Sequence, residues 1–208
     1  MKALAWLLPV AFLAWGLPAV AECSPHEVIR STAGDVARLL DGRRDYLRRH
    51  PDELYALISE VLLPHFDLRY SSYLVLGKQH WRAASKEQRD RFVQAFYQFL
   101  VRNYATGLLD FNPGTLAVLD DESSPDRKRH VVHTEMRMDG GRIVPIDYRL
   151  RRTGDGWRVY DVRIQGVSYV QNYRSQFAAE IDALGLDAVI ARLESEIRAQ
   201  TQPQSTGG

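Results

Sequence analysis

Cysteine, net charge and long apolar runs are all scarce in this 208-residue chain. The single cysteine, Cys23, cannot close an internal disulfide, which excludes a disulfide-stapled miniature whatever the redox compartment. Lys and Arg number 27 against 26 Asp and Glu, so the chain lacks the basic footprint that general nucleic-acid binding requires. Beyond the N-terminus no apolar run approaches the roughly 20 residues of a membrane span, which disfavours a polytopic membrane protein. No internal repeat, nucleotide-binding glycine pattern or G-x-S-x-G motif occurs either.

The apolar run that does exist lies at the start. Lys2 precedes Ala3 to Val20, interrupted by Pro9, Gly16 and Pro18, and the run closes on Ala19-Val20-Ala21. This small-x-small ending is a signal-peptidase pattern, and the breakers argue against a retained helix. Residues 1–21 are therefore expected to be a secretory signal. A lipid anchor on Cys23 is disfavoured, because Glu22 stands where such a site needs a small residue. Without Lys2 the mature chain carries as many acids as bases.

The first half has helical periodicity. Val28, Ile29, Thr32, Val36, Leu39, Leu40 and Leu47 recur at helical spacing from Pro25 to Arg49, and Leu54, Leu57, Ile58, Val61 and Leu62 form a second stripe. A helical stretch from Phe66 is expected to stop at Gly77. Ser85 and Gln88 form a capping box ahead of the strongest helix, from Lys86 to about Leu109. Phe92, Ala95, Phe96, Phe99, Leu100, Tyr104 and Leu108 share one of its faces. After Phe111-Asn112-Pro113-Gly114 the period falls from 3.6 to 2. Thr115 to Leu119 reads as a strand, followed by a polar loop over Asp120 to Lys128. Three alternating segments then follow, His130 to Met138, Arg142 to Arg152 and Trp157 to Ile164, joined by glycine-rich turns. Pro145 lacks a ladder donor and is expected at an edge or bulge. A last helix spans about Val170 to Ala199 with a break at Gly185. The expectation is an α+β fold: a helical part over 25–110, an antiparallel sheet over 115–165 and a C-terminal helix over 170–199. These make one domain spanning 22–199, followed by a disordered tail at 200–208.

Catalytic chemistry is thinly represented. His130, His133 and Glu135 are the nearest approach to a metal cluster, but strand geometry points His130 away from the other two. His65 lies near Asp67, and Asp161 shares its strand parity with Trp157 and Val159. An acid–base role for Asp161 and His65 therefore stays open beside a structural one, in which Asp161 holds the turn at Gly166-Val167-Ser168. No metal or cofactor is expected. Arginines cluster at Arg43, Arg44, Arg48 and Arg49, and again around Arg127, Lys128 and Arg129. They serve as solvated faces, or at a rim they attract phosphate groups or acidic surfaces. Facing apolar surfaces without a polar constellation suit a ligand pocket, yet a packed core uses the same residues. On these grounds a ligand carrier, an interaction module and an enzyme all remain open.

Several motifs narrow the choice. Leu74-Val75-Leu76-Gly77 precedes His80-Trp81, and Ser85-Lys86-Glu87-Gln88-Arg89 leads to Phe92 and Phe96. Ile143-Val144-Pro145-Ile146-Asp147-Tyr148 and Gly156-Trp157-Arg158-Val159-Tyr160-Asp161-Val162 follow, then Gln165-Gly166-Val167-Ser168 ahead of Asn172-Tyr173-Arg174-Ser175-Gln176-Phe177. In this order they resemble the MlaC, or toluene-tolerance, family of periplasmic auxiliary proteins, over about Asp35 to Leu193. The resemblance implies an NTF2-like cone beside a flanking helical subdomain, with an internal hydrophobic cavity. It implies a non-catalytic periplasmic phospholipid shuttle that maintains outer-membrane lipid asymmetry. The partners so implied are an outer-membrane lipoprotein–porin complex and an inner-membrane ABC transporter complex with an MCE-type subunit. A hopanoid or other polycyclic lipid is the rival cargo within the same family. On this reading Leu74, Phe92, Phe96, Phe99 and Leu100 meet Val132, Met136, Val144, Ile146, Tyr148, Trp157 and Val159 across the cavity. Val167 and Tyr169 stand near its rim, and Asp161, Gly166 and Ser168 have structural roles. Gln165 departs from the glutamate of many relatives.

Overall fold

The computed structural model describes residues 23–110, 112, 115–119 and 128–201. The proposed signal segment, residues 120–127 of the polar loop and residues 202–208 of the tail lie outside the described residues. Helix α1 (Pro25–Leu40) starts on a reciprocal cap: the Ser24 hydroxyl accepts from the Glu27 N–H, and the Glu27 carboxylate accepts from the Ser24 N–H. Gly42, at φ +64°, then turns the chain into the short α2 (Arg44–Arg49), so the helical pattern over 25–49 is two helices. Helix α3 (Pro51–Leu62) starts on its proline, as a first turn tolerates. Helix α4 (Leu68–Ala83) does not end at Gly77; it kinks there, at φ 73° and ψ 166°, and resumes. Helix α5 (Lys86–Leu108) carries the expected Ser85–Gln88 capping box. After the sheet, α6 (Tyr169–Leu184) and α7 (Leu186–Thr201) are separated at Gly185.

Strands β1 (Leu116–Val118), β2 (Arg129–Arg137), β3 (Ile143–Thr153), β4 (Gly156–Ile164) and β5 (Val167–Ser168) form one antiparallel meander in chain order. Register pairs Met136 with Val144, Thr134 with Ile146, Val132 with Tyr148 and His130 with Leu150, which places these residues on the helix-covered face. The opposite face carries charge: His133 stands across from Asp147, and the two side chains hydrogen-bond at 2.7 Å. Pro145 lies in the central strand, across from Glu135. Its carbonyl accepts from the Gln165 N–H, beyond the last paired residue of β4, so its missing donor faces a turn rather than a ladder.

One irregularity overturns the simple alternation of β4. Leu150 pairs with Val159 and Arg149 with Asp161, which leaves Tyr160 as an extra residue in a bulge. Asp161 therefore stands opposite Arg149 instead of continuing the parity of Trp157 and Val159.

The apolar interior falls into three clusters. Val28 and Ile29 of α1 pack on Val132, Leu150, Trp157 and Val159 of the sheet. Val36, Leu40 and Leu47 join Leu54, Ile58, Tyr97, Val101 and Ala105, binding α1, α2, α3 and one side of α5. The opposite side of α5, with Phe92 and Phe96, packs with Val75, Tyr173, Phe177, Val189, Ile190 and Leu193 of α4, α6 and α7. A domain usually has one contiguous core. Here three partial cores face one another, and the space where they meet is the candidate site.

Candidate functional site

A cavity of ≈ 440 Å³ lies between the sheet and the helices, its wall almost entirely apolar and partly open to solvent. Each of the three clusters supplies part of that wall. Ile29 and Val159 come from the sheet cluster, Val36, Ile58 and Val101 from the second, and Phe96 and Tyr173 from the third. Helix α5 forms the longest side, from Phe96 to Leu108, about 18 Å at 1.5 Å per residue. Across from it are Met136 of β2, Tyr148 of β3 and Val159, Val162 and Ile164 of β4. The volume falls within the roughly 300–1,000 Å³ of small-molecule sites.

The cavity's polar groups are few, and most are occupied. The Thr32 hydroxyl donates to the Val28 carbonyl at 2.7 Å, and Ser71 donates to the carbonyls of Asp67 and Tyr160. The Tyr104 and Tyr173 hydroxyls pair at 2.8 Å. Burial, and then the hydrogen bond to Tyr104, holds the Tyr173 phenol well above its ordinary range. Burial pushes the Tyr148 phenol up to about 12. These phenols are therefore neutral at physiological pH, which suits a cavity for uncharged hydrocarbon.

Asp161 borders the cavity with its carboxylate committed elsewhere. Oδ2 accepts from the Ser168 hydroxyl at 2.8 Å and Oδ1 from the Val170 N–H at 3.1 Å, with Arg149 Nη1 3.7 Å away. The Ser168 hydroxyl in turn caps α6 by accepting from the Gln171 N–H. The network ties β4 to the start of α6, whose Tyr169, Val170 and Tyr173 wall the cavity. Gly166 follows Gln165 in the β4–β5 turn, and both have positive φ, 81° and 51°. His65 also borders the cavity, but no hydrogen bond joins it to Asp161 among the described residues.

The structure distributes the residues expected at the cavity unevenly. Phe96, Leu100, Met136, Tyr148, Val159 and Tyr169 border it. Phe92 and Phe99 turn instead toward α6, where Phe92 meets Phe177 with ring centroids at 5.9 Å and Phe99 meets Tyr173 at 5.8 Å. Val132 and Trp157 pack beneath α1, and Val144 and Ile146 are buried on the sheet away from the cavity wall. Leu74 is half-buried on α4 and Val167 is 59% exposed. Wall residues outside that set include Thr32 and Ala33 of α1, Leu62 of α3 and Val101 and Ala105 of α5. Thr32 and Leu62 lie on stripes legible in the sequence and Ala33, Val101 and Ala105 do not, and a stripe does not name its neighbour.

The arginines of α2 serve the fold: Arg44 donates to the Leu109 carbonyl and Arg48 to Asp110, clamping α2 to the end of α5. Arg129 donates to the Tyr70 hydroxyl at 2.9 Å. A second depression, ≈ 470 Å³, lies between α5 and α7. It is an open groove edged by Asp90, Gln94, Gln98 and Arg198 and crossed by the Arg91–Glu194 ion pair, so it encloses nothing. Among the described residues no three metal-ligating side chains converge, and no helix is long and apolar enough to cross a membrane.

Known proteins are similar to this chain in sequence or in fold. The chain is 28% identical over 180 residues to the toluene tolerance protein ttg2D of Pseudomonas putida, covering 86% of this chain and 83% of that protein. It is 22% identical over 180 residues to the intermembrane phospholipid transport system binding protein MlaC of Haemophilus influenzae, with 85% and 83% covered. Its fold matches that of a phospholipid-binding protein from Ralstonia solanacearum, solved in complex with a phospholipid. The TM-score is 0.77 at 24% identity, covering 86% of this chain and all of that one. Residues 30–195 match the model of the family described as MlaC protein, and the chain belongs to that family.

Proposed function

We propose that this protein is a periplasmic carrier that hides the acyl chains of a phospholipid in its cavity and exchanges the lipid between membranes. The observation that carries the reading is the apolar hollow walled by three separate clusters. Energetics explains why such a hollow is needed. About 30 methylenes at ~0.8 kcal/mol each make exposure of a two-chain lipid cost on the order of 24 kcal/mol, so a soluble carrier must enclose nearly all of that surface. The polar headgroup has no such need and stays near solvent. The names of the relatives support the same class of cargo.

Residues 1–21 act as a secretion signal in this reading. The two membrane partners are an outer-membrane lipoprotein–porin complex and an inner-membrane ABC transporter complex with an MCE-type subunit, and traffic between them maintains outer-membrane lipid asymmetry. No covalent step occurs: the carrier takes up and releases its lipid unchanged.

Vesicle exchange tests this directly. The mature protein, mixed with donor vesicles carrying a self-quenched fluorescent phospholipid and with unlabelled acceptors, is expected to speed dequenching in proportion to its concentration. The transferred lipid should be recovered chemically intact. Transfer no faster than the spontaneous rate, or recovery of a hydrolysed lipid, would overturn the proposal.

A further inference from the structure

Tyr148 places on the cavity wall a hydroxyl that no described protein group engages. Thr32, Ser71, Tyr104 and Tyr173 direct theirs to a carbonyl or to each other, and the Tyr97 hydroxyl is fully buried. Tyr148 makes no side-chain hydrogen bond with any described residue, although it borders the cavity from the central strand of the sheet. Its cross-strand partners are Val132 and Val162, and its neighbours along the same face are Ile146 and Leu150. None of these side chains offers a donor or acceptor. Water in the partly open cavity can satisfy this hydroxyl while lipid is absent; once hydrocarbon fills the space that water is displaced, and only an oxygen on the cargo can take its place.

We infer that the Tyr148 hydroxyl is a recognition group that donates a hydrogen bond to an oxygen on the enclosed, apolar part of the cargo. The acceptor is the ester carbonyl of an acyl chain or a hydroxyl on the hydrocarbon body. The inference rests on the carrier reading and deepens it. A cavity lined by hydrocarbon alone grips all chains of a given length alike, whereas one fixed donor within it separates oxygenated lipids from plain ones. Neither a phenylalanine nor an aliphatic residue at this position would do so.

Three lipids of equal chain length separate the possibilities: a diester phosphatidylglycerol, its diether analogue, and the diether with a mid-chain hydroxyl. Binding to delipidated protein is measured for the wild type and for Tyr148→Phe. Tighter binding of the diester than of the diether, by about fivefold, assigns the ester carbonyl; a similar advantage of the hydroxylated diether assigns the chain hydroxyl. In either case Tyr148→Phe should erase the preference, so that the three lipids bind alike. The melting temperature of the lipid-free variant should equal or exceed that of the wild type, because the hydroxyl has no protein partner to lose.

Absence of any preference in the wild type, survival of the preference in Tyr148→Phe, or a lower melting temperature of the lipid-free variant would overturn the inference and leave the carrier reading standing. Failure of the wild type to bind all three lipids would overturn the carrier reading, and this inference with it.

Discussion

Tyr148 also links the cavity to alkaline stability. Its phenol titrates near 10 in the unfolded chain and is pushed up to about 12 by burial in the folded one. The native state therefore keeps a proton that the unfolded state loses. This contribution is fully present below pH 10 and is lost as pH rises from there through about 12, a change of about 2–3 kcal/mol. Tyr148→Phe should flatten this part of a denaturation-midpoint curve against pH, whereas an unchanged slope would remove Tyr148 as its source. A second prediction concerns Ala33, on the α1 side of the cavity. Ala33→Trp fills space without cutting a hydrogen bond, so lipid recovered with the protein should fall at least tenfold while the far-ultraviolet spectrum stays native. Full retention of lipid by that variant would mean that Ala33 does not face the cargo.

Glycine and bulge positions decide how the elements bend around the hollow. Gly77 sits at φ 73° and ψ 166°, a region open almost only to glycine, and an added Cβ would come within 3.3 Å of the Arg174 guanidinium. Gly77→Ala should cost about 1–3 kcal/mol, or several degrees of melting temperature. Gln165 is the reverse case, a side-chain-bearing residue at φ 51°. Asn tolerates that region better, so Gln165→Asn should stabilise by up to about 1 kcal/mol, read from a chemical denaturation midpoint. Asp161→Ala strands the Ser168 hydroxyl and the Val170 N–H beside Arg149. A loss of about 2–4 kcal/mol is expected, with hydrogen exchange rising first at the start of α6. The meander was legible because polar and apolar residues alternate along β2 and β3 and glycines mark the turns. The bulge at Tyr160 was not, since one extra residue leaves the alternation looking continuous while it moves Asp161 to the Arg149 side.

At the scale of the molecule, the α+β class and the order of its parts were readable from the change of period near residue 115. The composition of the cavity wall was readable only in part. Phe92 and Phe96 lie four residues apart on α5 and both meet the Phe177 ring, at 5.9 and 5.7 Å, yet only Phe96 also borders the hollow. That division depends on where α6 and α7 cross α5, which periodicity does not encode. The same crossing divides the three phenylalanines of that α5 face: Phe92 and Phe99 are ordinary core, and Phe96 borders the open volume. The central claim is that the three clusters stay apart to make room for lipid. Native mass spectrometry of protein purified without detergent tests it most directly. The account predicts a species heavier than the polypeptide by one phospholipid, and the extra mass should be lost on solvent extraction. Only bare polypeptide, with no lipid in the extract and none taken up when vesicles are offered, would contradict it.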